Sequence, residues 1–551
     1  MLRLKITDEL RAIANKKYRY ILLVLSGVLT GATLVFTKAG FTEWITMIPM
    51  GVVLLTRAAD NKVKLRSLYL DGFVFFYSYY LVCYHWFAYL YPLEFIDGMT
   101  KGAALAVVIL AWFGLSLLQA LMGGFVFVFA GLLFRCRFCQ KFALSRVFVA
   151  AGLWSVFEWS QTIGWWGVPW GRLPIGQTEY LIGLQTASWF GSYFVTFLIV
   201  SVNLLLTYIL LDPPKWKAGI IIAASLLVFQ YGAGTLIWFT ADVTEGEQLK
   251  VACIQGNISS SDKWSSDSDI KTTEVYTRLI TEAAEQGAEL IVLPETAFPY
   301  DFDSSEYSYF NDIFGEISEH YGIYILVGAY THEGEKDSLN SLICYAPSGD
   351  RLDTVYSKRH LVPFGEYVPM RPLIETLIPP LAELVLSSDD IDAGEGANII
   401  DAGGIGLGGL ICFDSIYEDL AYESVREGAE LICLSTNDSW FSDSAALYMH
   451  NAQAQLRAIE NGRYLLRAAN TGISTVINSR GEIVERLDPL VEGNIYATVY
   501  AKSNKTLCTT IGSGFVYLII LGFLAVAADD IVRNIIDHNK LQKNTKPLDI
   551  V

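Results

Sequence analysis

Three residues of different chemical type stand at the ends of short apolar runs, and together they could move an acyl group. Cys412 closes the run 405–411. Glu295 follows Pro294 at the end of 290–293. Lys358 lies in the polar stretch that opens at Tyr356. A free thiol titrates near ~8.5 and is mostly protonated at neutral pH, so it needs help to become a nucleophile. A carboxylate can take its proton, and an adjacent ammonium favours the thiolate. The same ammonium, with the backbone N–H after the cysteine, can hold a tetrahedral oxyanion. The carboxylate can then return the proton to a leaving alcohol and take one from an incoming amine. Each residue alone has a plainer reading. A glutamate after proline is usually a solvated turn, a lone lysine a surface charge, and a cysteine ending an apolar strand a core residue. The order and spacing of the three, all at strand ends or in loops, point instead to thioester chemistry.

Such residues need a rigid frame that lets them converge. The segment 247–509 alternates short β-rich runs with helical ones. Strands are expected over 249–255, 290–293, 324–328, 341–345, 352–356, 405–411, 431–435 and 474–478, and a helix over 270–285. This mixture predicts a layered α/β domain with sheets packed face to face and helices outside. The glycines before Cys412 allow close approach of neighbouring chain.

The rest of the chain is a different material. Of its 551 residues 52% are hydrophobic and 18% charged, which is apolar for a soluble protein. The excess lies in the runs 20–37, 44–56, 68–91, 103–134, 147–159, 184–211, 218–239 and 512–532. A bilayer core needs about 20 apolar residues as helix, so 44–56 and 147–159 are short and 103–134 is long enough to tilt. Basic residues gather at 3–19, 57–66, 135–146, 215–217 and 533–546, that is, in every second connection, whereas the loop with Glu94 and Asp97 is not basic. By the positive-inside rule both termini are cytoplasmic and 247–509 lies outside the cytoplasm, which suits about eight spans. The first run has no small-residue cleavage site leading into a soluble protein and reads as a retained helix. The expected division is 1–246 as a transmembrane domain of about seven helices, 247–509 as the catalytic domain, and 510–551 as a last helix and cytoplasmic tail.

A formal charge of −17 argues against a nucleic-acid partner. The eight cysteines form no disulfide framework, and Cys136 and Cys139 sit in a short basic loop with no visible metal partners. Cys253, Cys344 and Cys433 lie in strand-like runs, as small buried hydrophobes do. No metal-ligand pattern appears among the histidines. The apolar segment 372–386, directly after the lysine stretch, reads either as a membrane-contacting lid or as a helix buried against the domain.

The motifs carry a resemblance. Pro294-Glu295-Thr296-Ala297, the stretch Lys358-Arg359-His360-Leu361-Val362-Pro363-Phe364-Gly365-Glu366, and Cys412 resemble the Glu–Lys–Cys triad of the nitrilase superfamily. Ser435-Thr436-Asn437-Asp438-Ser439-Trp440-Phe441, Arg457-Ala458-Ile459-Glu460 and Gly167-Val168-Pro169-Trp170 make the sequence more closely similar to the bacterial apolipoprotein N-acyltransferases. The similarity covers nearly the whole chain. It departs after the cysteine, where the family commonly has Tyr-Glu and this chain has Phe413-Asp414.

The resemblance implies a polytopic α-helical membrane domain carrying an α/β nitrilase-like αββα sandwich. It implies acyl transfer from a phospholipid, through a Cys412 thioester, to the amino-terminal diacylglyceryl-cysteine of an apolipoprotein. The protein would lie in the bacterial inner membrane, use no cofactor or metal, and have lipid donor, lipoprotein acceptor and bilayer as partners. It further implies supporting roles. Glu366 would position Lys358 or the acceptor amine, or else be a surface ion pair. Phe413 would shape the turn after the nucleophile. Trp440 would line the acyl site and Trp264 would gate it, unless these indoles are interfacial anchors, as Trp165, Trp166 and Trp170 could also be. His360 is expected to act through conformation rather than proton transfer. Two other readings remain at this point: a membrane-tethered amidase or hydrolase, in which water replaces the amine, and an inactive scaffold or transporter. The intact triad and the few ionisable residues in the spans (Asp71 and Glu158, near span ends) weigh against the latter.

Overall fold

The computed structural model describes residues 2–93, 99–164, 166–259, 263, 268–334, 336–377 and 390–544. Strands β1 (Glu247–Gln255), β2 (Leu290–Val292), β3 (Tyr324–Glu333), β4 (Lys336–Tyr345), β5 (Tyr356–Ser357) and β12 (Gly493–Ala501) form one six-stranded sheet in the order β12-β1-β2-β3-β4-β5. The second six-stranded sheet runs β11-β10-β9-β8-β7-β6, from β6 (Ile400–Ala402), β7 (Ile405–Ile411), β8 (Leu431–Thr436), β9 (Tyr464–Ala469), β10 (Ser474–Ile477) and β11 (Ile483–Leu487). Each sheet has three parallel strands in its middle, β1-β2-β3 and β7-β8-β9, and antiparallel strands beside them.

The sandwich follows from period-two burial on both faces. Val251, Cys253, Leu290 and Val292 from the first sheet meet Leu407, Ile411, Leu431 and Cys433 from the second in one core between the sheets. The alternate residues Ala252, Ile254, Ile291 and Ile325 pack outward against helices Ser268–Glu285 and Tyr309–Tyr321. Leu410, Ile432 and Leu434 pack outward against helices Glu418–Arg426 and Ala445–Asn461, and this last core is continuous with that of the amino-terminal helices. Helix, sheet, sheet, helix is therefore the layer order. Cys253, Cys344 and Cys433 are buried free thiols in the inter-sheet core. The expected strand 352–356 is reduced to Tyr356–Ser357: Leu352 donates to the Cys344 carbonyl, and the chain then leaves the sheet at the exposed Asp353 and Thr354.

Each of the eight apolar runs falls on helix. We number the amino-terminal helices α1 (Leu2–Asn15), α2 (Arg19–Val35), α3 (Ile48–Arg57), α4 (Leu65–Cys83), α5 (Lys101–Phe134), α6 (Ser145–Ser160), α7 (Ser192–Leu211) and α8 (Trp216–Thr240). Among the described residues, five helical stretches are long and apolar enough to cross a membrane: Thr37–Arg57, Lys101–Phe134, Ser192–Leu211, Pro213–Thr240 and Gly514–Lys540. The bent pair α1–α2 would make a sixth. Helix α6 falls short with 16 residues, and α4 because it carries Arg66 and Asp71. Asp71 on α4 is buried between Arg19 and Arg57, at 2.7 Å from each, and Glu158 on α6 is buried. A helix shielded by protein can carry polar groups that lipid would not tolerate. Helix α5 shows the opposite division. Leu110, Phe113, Leu117, Leu121 and Phe125 are exposed along one face, while the small Gly123, Gly124 and Gly131 face α4.

The basic connections meet at one end of this bundle. Arg135 donates to the carbonyls of Asp60 and Val63, and Arg137 pairs with Asp537 of the last helix at 2.6 Å. Arg11 donates to the Leu211 carbonyl.

Candidate active site

Cys412 directly follows β7 and begins a short helical turn, Cys412–Ile416, with a backbone φ of 49°. A non-glycine residue rarely adopts this left-handed conformation, and such strain gathers at functional sites. Just before it, Gly409 leaves room for Tyr356, whose ring carbon would lie 2.5 Å from a Cβ there. Glu295 follows β2 in a similar tight turn, with Thr296 at φ 40°, and Gly328 lets the Pro294 carbonyl approach the neighbouring strand. Both residues thus leave parallel strands at their carboxyl ends, where α/β sheets open a crevice.

Lys358 joins them from the end of β5. Its N–H donates to the Asn340 carbonyl and its carbonyl accepts from Gly394, so its backbone is pinned on both sides. Its ammonium is 1% exposed and donates to Glu295 Oε1 at 2.9 Å and to Glu366 Oε1 at 2.8 Å. Glu366 is therefore a partner of Lys358 and not a surface ion pair; its other oxygen accepts from the Val362 N–H at 2.8 Å. Asn340 Nδ2 donates to Glu295 Oε1 at 2.8 Å, and the Asn437 N–H donates to Glu295 Oε2 at 3.0 Å.

The electrostatics give the resting state. Burial pushes the Cys412 thiol well above the usual range, the Glu295 charge adds to this, and Lys358 opposes it. Burial would also raise Glu295, but Lys358, then Lys263 and Asn340, pull it below the ordinary carboxylate value. Burial lowers Lys358, yet Glu295, Glu366 and Cys412 outweigh it and hold the ammonium charged. Burial and then Glu295 raise Glu366, against Lys358. The site thus rests as a protonated thiol facing an ionised carboxylate, an arrangement suited to proton transfer in step with attack.

Asp414 ties the lysine stretch to the nucleophile turn. It accepts from the His360 N–H at 2.8 Å, the Ile411 N–H at 3.1 Å and the Tyr356 hydroxyl at 2.9 Å. The shorter carboxylate of Phe413-Asp414 is thus fully engaged. Phe413 packs edge-on against Tyr417, and the His360 ring stacks flat on the same tyrosine at 3.8 Å. Trp440 is half-buried in the turn after β8, beside Phe441. Trp264 and Trp165 lie outside the described residues, as does 378–386 of the apolar segment. Its described beginning, the helix Arg371–Leu377, has Leu373 exposed.

Several residues at the site escaped sequence reasoning. Lys263, Asn340 and Asn437 touch the Glu295 turn or its carboxylate. Behind Cys412, His450 faces the Cys412 carbonyl at 3.1 Å, the Ser415 hydroxyl at 2.9 Å and Asp438 Oδ1 at 3.0 Å. Arg467 donates to Asp438 Oδ2 at 2.6 Å. Asn437 and Asp438 belong to the motif Ser435–Phe441, which marks their place but not their partners. Lys263 and Asn340 had no local signal. Burial opposes the Asp438 charge, but Arg467 and His450 override it and hold its carboxyl well below the usual range. A depressed carboxyl contributes stability above its unfolded value near ~3.9 and loses it only as pH falls through the lower folded value. Asp438→Asn should therefore destabilise the protein across neutral and mildly acid pH by about 3–5 kcal/mol, because Arg467 is left buried without its charge partner. Thermal unfolding of purified variant and parent at pH 5 and 7 checks this; a deficit at pH 7 alone would contradict it.

The loop after α6 fastens the helical part to the catalytic turn. Trp170 is 3% exposed, which removes it from an interfacial belt, and it packs against His450, Phe441 and Trp86. Gln453 reaches the Pro169 carbonyl at 3.1 Å. Arg172 is fully buried, donates to Glu418 Oε2 at 2.5 Å and bonds the Ile416 carbonyl. Glu418 also meets Arg457, which pairs with Glu460.

Residues 250–505 match the carbon-nitrogen hydrolase family, and residues 26–205 match the apolipoprotein N-acyltransferase N-terminal domain. The apolipoprotein N-acyltransferase of Gloeobacter violaceus is 32% identical over 89% of this chain and 90% of its own length. That of Geobacter metallireducens is 31% identical over 94% of this chain and 96% of its own. Among solved structures, Nit3 of Saccharomyces cerevisiae, a nitrilase-superfamily member, covers 47% of this chain and 92% of its own at 21% identity, with a TM-score of 0.36.

Proposed function

This chain belongs to the apolipoprotein N-acyltransferase family, and from that premise we propose that Cys412, Glu295 and Lys358 carry its reaction. The protein is a membrane acyltransferase of lipoprotein maturation. The observation that carries the residue assignment is the Lys358 ammonium bridging Glu295 and Glu366 beside the strained Cys412 turn.

The chemistry has two halves. In the first, Glu295 takes the thiol proton as Cys412 Sγ attacks the ester carbonyl of a phospholipid. Lys358 and the Phe413 N–H stabilise the oxyanion, Glu295 returns the proton to the leaving oxygen, and a lysophospholipid departs from the thioester. In the second, the amino group of the diacylglyceryl-cysteine attacks the thioester carbonyl, Glu295 takes a proton from the nitrogen, and the proton passes to the departing sulfur. The amide forms and the free thiol returns. Glu366 keeps Lys358 in place, and Trp440 borders the acyl site, with Trp264 as its gate.

We further propose the units 1–246, 247–509 and 510–551, eight spans, cytoplasmic termini and an extracytoplasmic catalytic domain. The clustering of the basic connections at one end of the bundle supports this orientation. Labelled phospholipid in nanodiscs should leave an acyl mass on the Cys412 peptide. An amino-terminal diacylglyceryl-cysteine peptide should discharge it as amide, and discharge to free fatty acid alone would indicate a hydrolase. For orientation, exposed Ser305 replaced by cysteine should react with an impermeant maleimide on intact cells; labelling only after lysis would reverse the topology.

A further inference from the structure

The site holds a second buried lysine that the reaction as described leaves unused. Lys263 is 2% exposed. Its ammonium donates to Thr296 Oγ1 at 2.6 Å and to the Glu295 backbone carbonyl at 3.3 Å. Among the described residues no carboxylate lies within ion-pair distance of it. Burying an ammonium against only neutral acceptors is costly, so compensation must come from charges further off. Those charges are Glu295 and Cys412, both of which favour its protonated form, although burial still brings Lys263 down to about 8.

The sum of charges shows what this ammonium does. Glu295 and Glu366 are two carboxylates sharing one direct cation, Lys358. With the thiolate formed and Glu295 protonated, two negative charges, Cys412 and Glu366, again face Lys358. Without Lys263 the buried cluster carries a net negative charge in both states, and the thiolate is formed against it. With Lys263 the cluster is neutral before and after the proton moves. The other groups facing the cluster leave that sum unchanged: Asp438 bears on Cys412 but is itself paired with Arg467 beside His450, Tyr330 bears on Glu366 and Glu295, and Asp414 on Lys358.

We propose that Lys263 is a positioning residue of the reaction: it clamps the Glu295–Thr296 turn and supplies the second positive charge that lets the Cys412 thiolate exist beside Glu366. This rests on the triad assignment above.

The test reads thiol reactivity in the full-length protein, in detergent, with iodoacetamide as a small probe and the Cys412 peptide quantified by mass. Unalkylatable Cys412 in the parent would defeat the triad assignment itself. Given a reactive parent, Lys263→Met should slow alkylation at pH 7 about tenfold or more and move the pH–rate profile to higher pH by a unit or more. Thr296→Val removes the clamp's hydrogen bond but keeps the charge, and should leave the profile in place. Glu366→Gln added to Lys263→Met removes one negative charge and should bring the profile back toward the parent. A Lys263→Met profile superimposed on the parent's, or lowered at every pH without moving, overturns the proposal. So does a shift that Glu366→Gln does not reverse. If Lys263→Met alone does not fold, folding restored in the double variant supports charge balance, and failure of both while Glu366→Gln folds overturns it.

Discussion

Cys412→Ala should leave no acyl-enzyme and lower turnover at least ~1,000-fold, while the protein folds as before. The thiol is the sole nucleophile among the residues assembled here, and a reaction split in two by a covalent intermediate loses both steps when the covalent atom is gone. Folding should survive because Cys412 is only partly buried and the turn is held by others: Asp414 through the Ile411 and His360 N–H groups, and His450 at the Cys412 carbonyl. Cys412→Ser should fold and be nearly as inactive, since Glu295, held below the usual carboxylate value, is too weak a base for a hydroxyl. Incubation with radiolabelled phospholipid followed by hydroxylamine treatment decides the matter. A hydroxylamine-sensitive label on the alanine variant would sink the assignment of nucleophile.

Lys358→Met should be nearly as damaging, for a different reason. Lys358 supplies the charge that holds Glu295 ionised against burial, and it also opposes the rise of the Cys412 thiol. Removing it leaves Glu295 and Glu366 facing each other in a buried site, so at least one takes up a proton. Glu366, already raised by burial, takes it first, while Glu295 loses the largest charge that depresses it and becomes ionised in a smaller fraction; an oxyanion donor is lost as well, together about 100-fold or more in acylation rate. The sign of the pH effect follows. The Glu295 value moves up, so the variant should regain part of its rate as pH rises, whereas lost oxyanion binding is not regained. Stability should fall less than the about 3–5 kcal/mol expected for a broken buried pair, because protonation relieves the repulsion. Single-turnover acylation measured from pH 6 to 9 checks this. A rate lowered equally at every pH would show that Lys358 acts at the oxyanion alone.

How far the sequence reveals this site depends on whether the signal is local. Cys412, Glu295 and Lys358 sit at ends of apolar runs, so period and punctuation locate them. Strand β7 was readable to its last residue because its burial on both faces leaves an uninterrupted apolar run. Strand β9 was not, because Arg467 stands in its middle and reads as a surface charge; only Asp438, from the turn after β8, explains how that arginine is buried. Edge strands β6 and β11 and the long β12 lack a strong pattern since one face or one end is solvated. Lys263 and Asn340 are defined entirely by what folds against them. In the helical part, apolar runs marked the long helices from α2 onward but not the polar α1, and hydropathy alone does not say which helices face lipid and which, like α4, face protein.

The Arg172 fastening bears on how this protein can be taken apart. A fragment beginning near residue 247 would keep both sheets, but it would carry Glu418, Arg457 and Glu460 to a freshly cut face. Glu418 would lose its closest cation, and the Ile416 carbonyl, four residues from the nucleophile, would lose its donor. The thiol-bearing turn would then be free to drift on the side where the helical part now grips it. A chimaera that exchanges helical parts between relatives meets the same requirement. The segment 167–172 must travel with the catalytic half it was fitted to, or the contact between the two halves is remade around an unmatched charge.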